Sequence, residues 1–272
     1  MITNYKKAVE NIQFQLESYL KSSGLKSLVL GVSGGIDSAL CAALARPVCV
    51  KLGVTLYGRS ITIETNKAEE IARAKAVGEA FFHDFKEVDL TEAYRQLAPQ
   101  IVEDYHTTPH SEFHYKIRMG NVKARMRMQY LYDIASAKRG MVISTDNYTE
   151  LLLGFWTLHG DVGDYGPIQS LWKTEVYEMS KYLANSYSEK TQADALMACV
   201  NAVPTDGLGI TNSDLDQLGV ATYAEADAIL MRMLAKPNDP EIQDNPIVKR
   251  NRASEFKRNN PYNIPRNLII TE

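Results

Sequence analysis

From Tyr5 to Leu20 the apolar residues Ala8, Ile12, Leu16 and Leu20 recur at steps of four, which predicts an amphipathic opening helix. The next apolar stretch has a different pattern. Lys26 to Val32 is a short, nearly unbroken hydrophobic run, as expected of a strand buried on both faces of a parallel sheet. A Ser-Gly-Gly turn follows, then a helix from Ser38 to Ala45. The chain continues with a strand at Val54–Tyr57, a charged helix from about Asn66 to Phe82, a short strand at Phe85–Val88 and a helix from Thr91 to about Val102. Residues 105–117 carry no clear period. Asn121–Lys138 reads as a helix, Gly140–Ser144 as a further buried strand, and Trp172–Leu183 as a helix after the glycine-bearing loop Gly160–Pro167. Beyond Asn201 the composition turns to Pro, Asn and Asp, so 201–219 and a tail over 235–272, above all 235–264, are expected to be rich in loops. Short buried strands alternating with helices specify an α/β fold: a doubly wound, mostly parallel sheet with helices on both faces.

Composition narrows this picture. The 272 residues, 45% of them hydrophobic, suffice for one large core, so a single domain spanning 1–272 is expected. The 30 basic and 33 acidic residues nearly cancel, which argues against a general electrostatic grip on nucleic acid. No apolar run approaches the roughly 18 residues of a membrane span, and the first twenty residues lack the apolar centre of a signal peptide. A cytoplasmic protein is expected. Cys41, Cys49 and Cys199 form no C-x-x-C pair, so they are read as buried small hydrophobes and not as a disulfide framework or a zinc site. His106, His110 and His114 recur at steps of four, but Pro109 would break a shared helix, so no metal face is assigned to them. The basic residues Lys249, Arg250, Arg252, Lys257 and Arg258 leave two readings open: a solvated tail, or one that grips phosphate.

The chemistry concentrates in Ser33-Gly34-Gly35-Ile36-Asp37-Ser38, between the first buried strand and its helix. In a strand–turn–helix unit, backbone N–H groups and the helix N-terminus converge on one point and make an anion site. Phosphate is the natural guest. The glycines let the backbone approach it closely, and the two serines offer hydroxyl donors. A carboxylate beside bound phosphates makes sense when it holds a cation, so Asp37 is assigned to Mg²⁺. Two rival motifs share the segment. A Walker loop needs Lys and then Ser or Thr where this chain has Ile36-Asp37. The run Gly31-Val32-Ser33-Gly34-Gly35 matches the nucleophile elbow of α/β-hydrolases, yet no histidine follows His159 and no glycine run precedes the elbow to build an oxyanion hole. A hydrolase using Ser33 therefore stays a minor alternative.

Ser33–Ser38 resembles the phosphate loop of the N-type ATP pyrophosphatases, of adenine nucleotide α-hydrolase-like fold, which cleave ATP between its α- and β-phosphates. Later segments are similar, block by block, to the ammonia-dependent NAD synthetases: Gly120–Met128, Ser144–Thr157, Gly160-Asp161, Trp172–Val176, Pro204–Asp206 and Leu218–Tyr223. The resemblance runs in order along nearly the whole chain. It implies that Gly31, Val32, Ser33, Gly34, Gly35, Ile36, Asp37, Ser38, Thr145, Lys173 and Thr205 contact ATP, and that Asp37 and Glu150 hold Mg²⁺. Asp37 and Lys173 would be catalytic, and Arg125, Asp164, Phe256 and Lys257 would meet the dinucleotide. The implied reaction adenylates the nicotinate carboxylate of deamido-NAD, releases pyrophosphate, and lets ammonia displace AMP to give NAD. The resemblance also implies a homodimer, and segments 105–117 and 201–219, or one of them, are expected to close over the site. Three positions depart from the pattern: Leu158 replaces the usual Lys, the 160 loop is one residue short, and Phe256 replaces a His. All three fall on dinucleotide contacts, so a pyrophosphate-loop enzyme with another acceptor is the main alternative.

Overall fold

Strand β1 (Ser27–Gly31) is buried over its first four residues, and its side chains alternate between two cores. Leu28 and Leu30 point into one hydrophobic cluster, Val29 into the other. This is the period-two geometry of a strand covered on both faces. β1 pairs in parallel with β2 (Thr55–Thr62) on one side and β4 (Gly140–Val142) on the other, and β2 pairs in parallel with β3 (Asp84–Asp89). The sheet order is thus β3-β2-β1-β4. The computed structural model describes residues 1–64, 66–103, 105, 111–203, 215 and 218–269.

The chain winds outward from β1 to β3 and then returns to the far side of β1. That reversal opens a crevice between the carboxyl ends of β1 and β4, where α/β sheets bind ligands. One face is covered by α1 (Tyr5–Ser23), α2 (Ile36–Leu52), α3 (Ala68–Phe81), α7 (Lys173–Ser186) and α8 (Lys190–Val200). α4 (Thr91–Ile101) and α5 (Glu112–Ala137) cover the other. A third cluster joins the short α6 (Tyr148–Leu153) to α9 (Tyr223–Ala235) and α10 (Pro246–Ala253) through Leu152, Leu153, Ala226, Leu230, Ile247 and Val248. α11 (Glu255–Arg258) and α12 (Arg266–Ile269) follow. All three cysteines are free and buried, as expected of small hydrophobes. Among the described residues, no helix is long and apolar enough to cross a membrane.

The structure corrects three sequence expectations. α5 begins at Glu112, not Asn121, because Ser111 caps it by accepting the His114 N–H. Its first turns are exposed and so carry no apolar period. The 235–264 stretch is not all loop: Asn245-Pro246 supplies an N-cap and a proline in the first turn for α10, whose Ile247 and Val248 are buried. The last buried strand shortens to Gly140–Val142, with Ile143 bridging to Tyr165. Residues 106–110, with two of the three spaced histidines, and most of 201–219 lie outside the described residues; His114 sits in the first turn of α5.

Candidate active site

The turn after β1 is held from behind. Val32 N–H donates to Arg59 O of β2 at 2.8 Å, which carries the chain off the sheet edge. Gly34 follows with φ +79°, a left-handed conformation that favours glycine. A Cβ there would also lie 2.2 Å from the Glu70 carbonyl of α3, so no other residue fits. Arg73 Nε donates to Gly34 O at 3.0 Å. Ser33 Oγ accepts Gly35 N–H at 3.2 Å and sits 3.2 Å from Ser38 Oγ, which donates to Gly35 O. No side chain caps the N-terminus of α2, so its first amides face the crevice with two hydroxyls beside them.

Asp37, in the first turn of α2, meets residues from two other helix N-termini. Lys173, the first residue of α7, places Nζ 2.5 Å from Asp37 Oδ2 and 3.0 Å from Glu150 Oε1. Asn147 Nδ2 donates to Asp37 Oδ1 at 2.9 Å and forms a capping box with Glu150 at the start of α6. Burial opposes the charge on Lys173, but the Asp37 and Glu150 carboxylates outweigh it and hold the ammonium well above the usual lysine range. Burial pushes the Glu150 carboxyl up, Lys173 pulls it back, and Asp37 and Asp146 push it further up. Asp146 and Asp161 are raised to about 7, in both cases chiefly by burial.

A cavity of about 400 Å³ opens beside this cluster. Its walls include Gly31, Val32, Ser33, Asp37 and Ser38 from the phosphate turn, together with Thr145, Glu150, Asp161 and Lys257. Lys173, paired with both Asp37 and Glu150, is not itself among the lining residues. Thr205 lies outside the described residues.

Three residues expected to meet the dinucleotide are not among those lining this cavity. Arg125 is exposed, with Nε donating to Leu158 O at 3.3 Å, and its charge is near enough to Asp161 to favour the ionised form of that carboxyl. The Asp164 carboxylate is spent on Val142 N–H at 2.9 Å and Tyr132 OH at 2.7 Å, so it anchors β4, while Asp161 lines the cavity. Phe256 is 62% exposed. Arg127, two residues on from Arg125, is a cavity residue: Nε donates to Ile61 O at 3.1 Å and Nη2 to Asn66 Oδ1 at 3.2 Å. Burial lowers its guanidinium to about 10. Lys123 is buried against Glu64 and Tyr94.

The basic tail is not solvated as a unit: part of it packs on α6, and Arg250 and Lys257 also line the cavity. Arg250 Nε donates to Leu153 O, Asn251 Nδ2 to Leu152 O and Arg258 Nη1 to Leu152 O, at 3.0, 2.7 and 2.9 Å. Lys257 Nζ donates to Gly154 O and Trp156 O at 2.7 and 2.5 Å. These donors satisfy the carbonyls at the C-terminus of α6, where cations also match the helix dipole. The six-residue helix that carries Glu150 is thereby held at its far end.

A parallel sheet with a phosphate-binding turn at its switch point, beside a buried lysine shared by two carboxylates, defines an α/β nucleotide-binding enzyme of adenine nucleotide α-hydrolase-like fold. Comparison with known proteins narrows the class. The NAD synthase family model matches residues 8–261. The NH(3)-dependent NAD(+) synthetase of Methanococcoides burtonii is 36% identical over 256 residues, covering 89% of this chain and 88% of that protein. The corresponding protein of Finegoldia magna is 33% identical, with 94% of each chain covered. Among solved structures, an NMN synthetase from Francisella tularensis aligns with TM-score 0.79 and 26% identity over 97% of this chain and all of that one. The NH3-dependent NAD synthetase of Campylobacter jejuni aligns with TM-score 0.69 at 24% identity, over 97% of this chain and all of that one, a likeness of fold. The chain belongs to the NAD synthase family and is a ligase.

Proposed function

We propose that the chain condenses deamido-NAD with ammonia at the expense of ATP. The nicotinate carboxylate oxygen attacks the ATP α-phosphorus and pyrophosphate leaves. Ammonia then attacks the acyl carbon, and the acyl–oxygen bond breaks to release AMP and NAD. The observation that carries this reading is Lys173 Nζ, fixed between Asp37 and Glu150 beside the Ser33–Ser38 turn. Its lasting positive charge suits the charge that develops on the α-phosphate and the departing pyrophosphate. The turn orients the phosphates, and Asp161, whose carboxyl titrates near neutrality on the cavity wall, can take the proton that ammonium must lose. Among the described residues no group of three or more His, Cys, Asp or Glu could hold a metal alone. Two carboxylates on one wall fit Mg²⁺, which takes its remaining oxygens from phosphate and water. Asp37 and Glu150 would hold it, and when bound it would neutralise charge on the phosphates. The homodimer and the cytoplasmic location belong to this same proposal.

A second reading concerns the acceptor. The Francisella tularensis NMN synthetase aligns with a higher TM-score than the Campylobacter jejuni enzyme, and Arg125, Asp164 and Phe256 are not among the residues lining the cavity. Nicotinate mononucleotide, which lacks the adenylate half of the dinucleotide, is the competing carboxylate. Incubation with ATP, Mg²⁺, ammonium and each acceptor in turn should yield equal amounts of amide, AMP and pyrophosphate. Release of ADP would sink the mechanism. The acceptor with the kcat/KM larger by about tenfold or more, a difference of 1.4 kcal/mol, is the substrate.

A further inference from the structure

Lys173, which meets Asp37, and Glu150, which meets Lys173, stand on helices joined by irregular chain. Glu150 is the third residue of α6, Lys173 the first of α7, and residues 154–172 lie between them. One carboxylate from a third helix bridges the two N-termini. Asp227 of α9 is 2% exposed. Its Oδ1 accepts Thr149 Oγ1 at 2.6 Å, and its Oδ2 accepts both Thr174 N–H at 3.0 Å and Thr174 Oγ1 at 2.8 Å. Thr149 Oγ1 in turn accepts the Lys173 amide at 2.9 Å. Thr149 precedes Glu150 and Thr174 follows Lys173, so these bonds fix the backbone next to both charged groups.

An acid suits this place physically. Negative charge is favoured at helix N-termini, and here it serves two at once. Three donors to one carboxylate satisfy it without a cation, so Lys173 is left to Asp37 and Glu150. The ring of Tyr223, one turn earlier on α9, lies 5.3 Å from Lys173 Nζ. α9 is itself seated by Ala226 and Leu230 against Leu152 and Leu153 of α6.

We propose that Asp227 is a positioning residue for phosphoryl activation: it sets the Lys173 ammonium against Asp37 and Glu150 without touching the substrate. This rests on the ATP-cleaving reading of the Lys173 site. The test compares Asp227→Asn with the parent in the full chain. The amide keeps the shape, but its nitrogen donates and cannot accept from both threonines. The expected result is a kcat for AMP formation lowered about tenfold, with the KM for the acceptor nearly unchanged and Asp227→Glu recovering part of the loss. In a Lys173→Ala background, Asp227→Asn should cost little more, since coupled residues are not additive. Trp172, the N-cap of α7, packs edge-on to Tyr148 of α6 with ring centroids 4.8 Å apart, at the same junction. Its emission, read in a Trp156→Phe background, should shift in Asp227→Asn.

A folded Asp227→Asn protein with parental kcat overturns the proposal. So does a loss of equal size with and without Lys173, which would mark a general structural role. Should Asp227→Asn not fold, Thr174→Val, which deletes one donor, carries the same expectations at smaller size. If the parent forms no AMP, the ATP-cleaving reading fails; an unshifted Trp172 emission then counts against Asp227 by itself.

Discussion

Replacing Lys173 by alanine is expected to lower the rate of pyrophosphate release by about a thousandfold, the scale of removing a preorganised charge from a developing anion. The substitution removes the cation that two carboxylates share at 2.5 and 3.0 Å. Two acids then face incoming phosphates with their repulsion unopposed. Losing one partner of a buried pair can cost about 3–5 kcal/mol of stability, but the fold has an outlet here. Burial already pushes the Glu150 carboxyl up, so it can take a proton once the ammonium is gone. The variant should therefore fold and fail in chemistry. Arginine is not expected to rescue it, because the planar guanidinium overfills a buried place shaped for a compact ammonium. The measurement is the initial rate of AMP and pyrophosphate formation at saturating ATP, beside a thermal unfolding curve. A rate within tenfold of the parent would remove Lys173 from the mechanism.

Much of this fold is legible in the chain. The apolar run Lys26–Val32 marks β1 because a strand covered on both faces needs no polar alternation. The four-residue steps of Ala8, Ile12, Leu16 and Leu20 mark α1 because that helix buries one face, with Leu16 and Leu20 inside. The pattern fails where burial is local or shared. α6 has six residues, too few for a period, and takes its shape from the Asn147–Glu150 capping box and the donors of the distant tail. α10 looks like loop by composition because Asn245, Pro246, Lys249, Arg250, Asn251 and Arg252 surround just two buried side chains.

The site was legible in proportion to how local its geometry is. The Ser33–Ser38 turn is built from consecutive residues, and its glycines and hydroxyls announce the nest directly. Glu150 and Lys173 could be singled out through resemblance, yet their meeting over Asp37 depends on the return of the chain across the sheet. Arg125 and Arg127 show the limit. They are two residues apart on one helix, so they point in different directions, and the resemblance implied a role for Arg125 alone. The signal available was that α5 packs on the sheet through Met126, Met128 and Leu131, which turns the neighbouring Arg127 toward the end of β2. Asp227 carried no motif at all; its role rests on three donors from two other helices.

The ligand-free protein is expected to be less stable at pH 8 than at pH 5, against the usual behaviour of paired carboxylates. Asp146 and Asp161 sit at about 7 in the folded chain, raised first by burial, with each of Asp161 and Glu150 adding repulsion to a neighbouring acid. In the unfolded chain both return to about 3.9. Between about pH 4 and pH 7 the folded state therefore binds more protons than the unfolded state. Stability then falls as pH rises through that window, since its slope follows the protons bound by the unfolded state minus those bound by the folded one. A shift of about three units in one group corresponds to about 4 kcal/mol, and because the neighbouring acids titrate together the whole site should lose on the order of that amount. Glu150 leans the same way, but the Lys173 ammonium offsets it. Denaturant unfolding at pH 5 and pH 8 measures the difference directly. Asp146→Asn together with Asp161→Asn should flatten the profile by raising stability at pH 8 alone. A parent profile that is flat, or that rises with pH, would show that these acids stay ionised in the fold. It would also remove Asp161 as the group that takes a proton from ammonium near neutral pH.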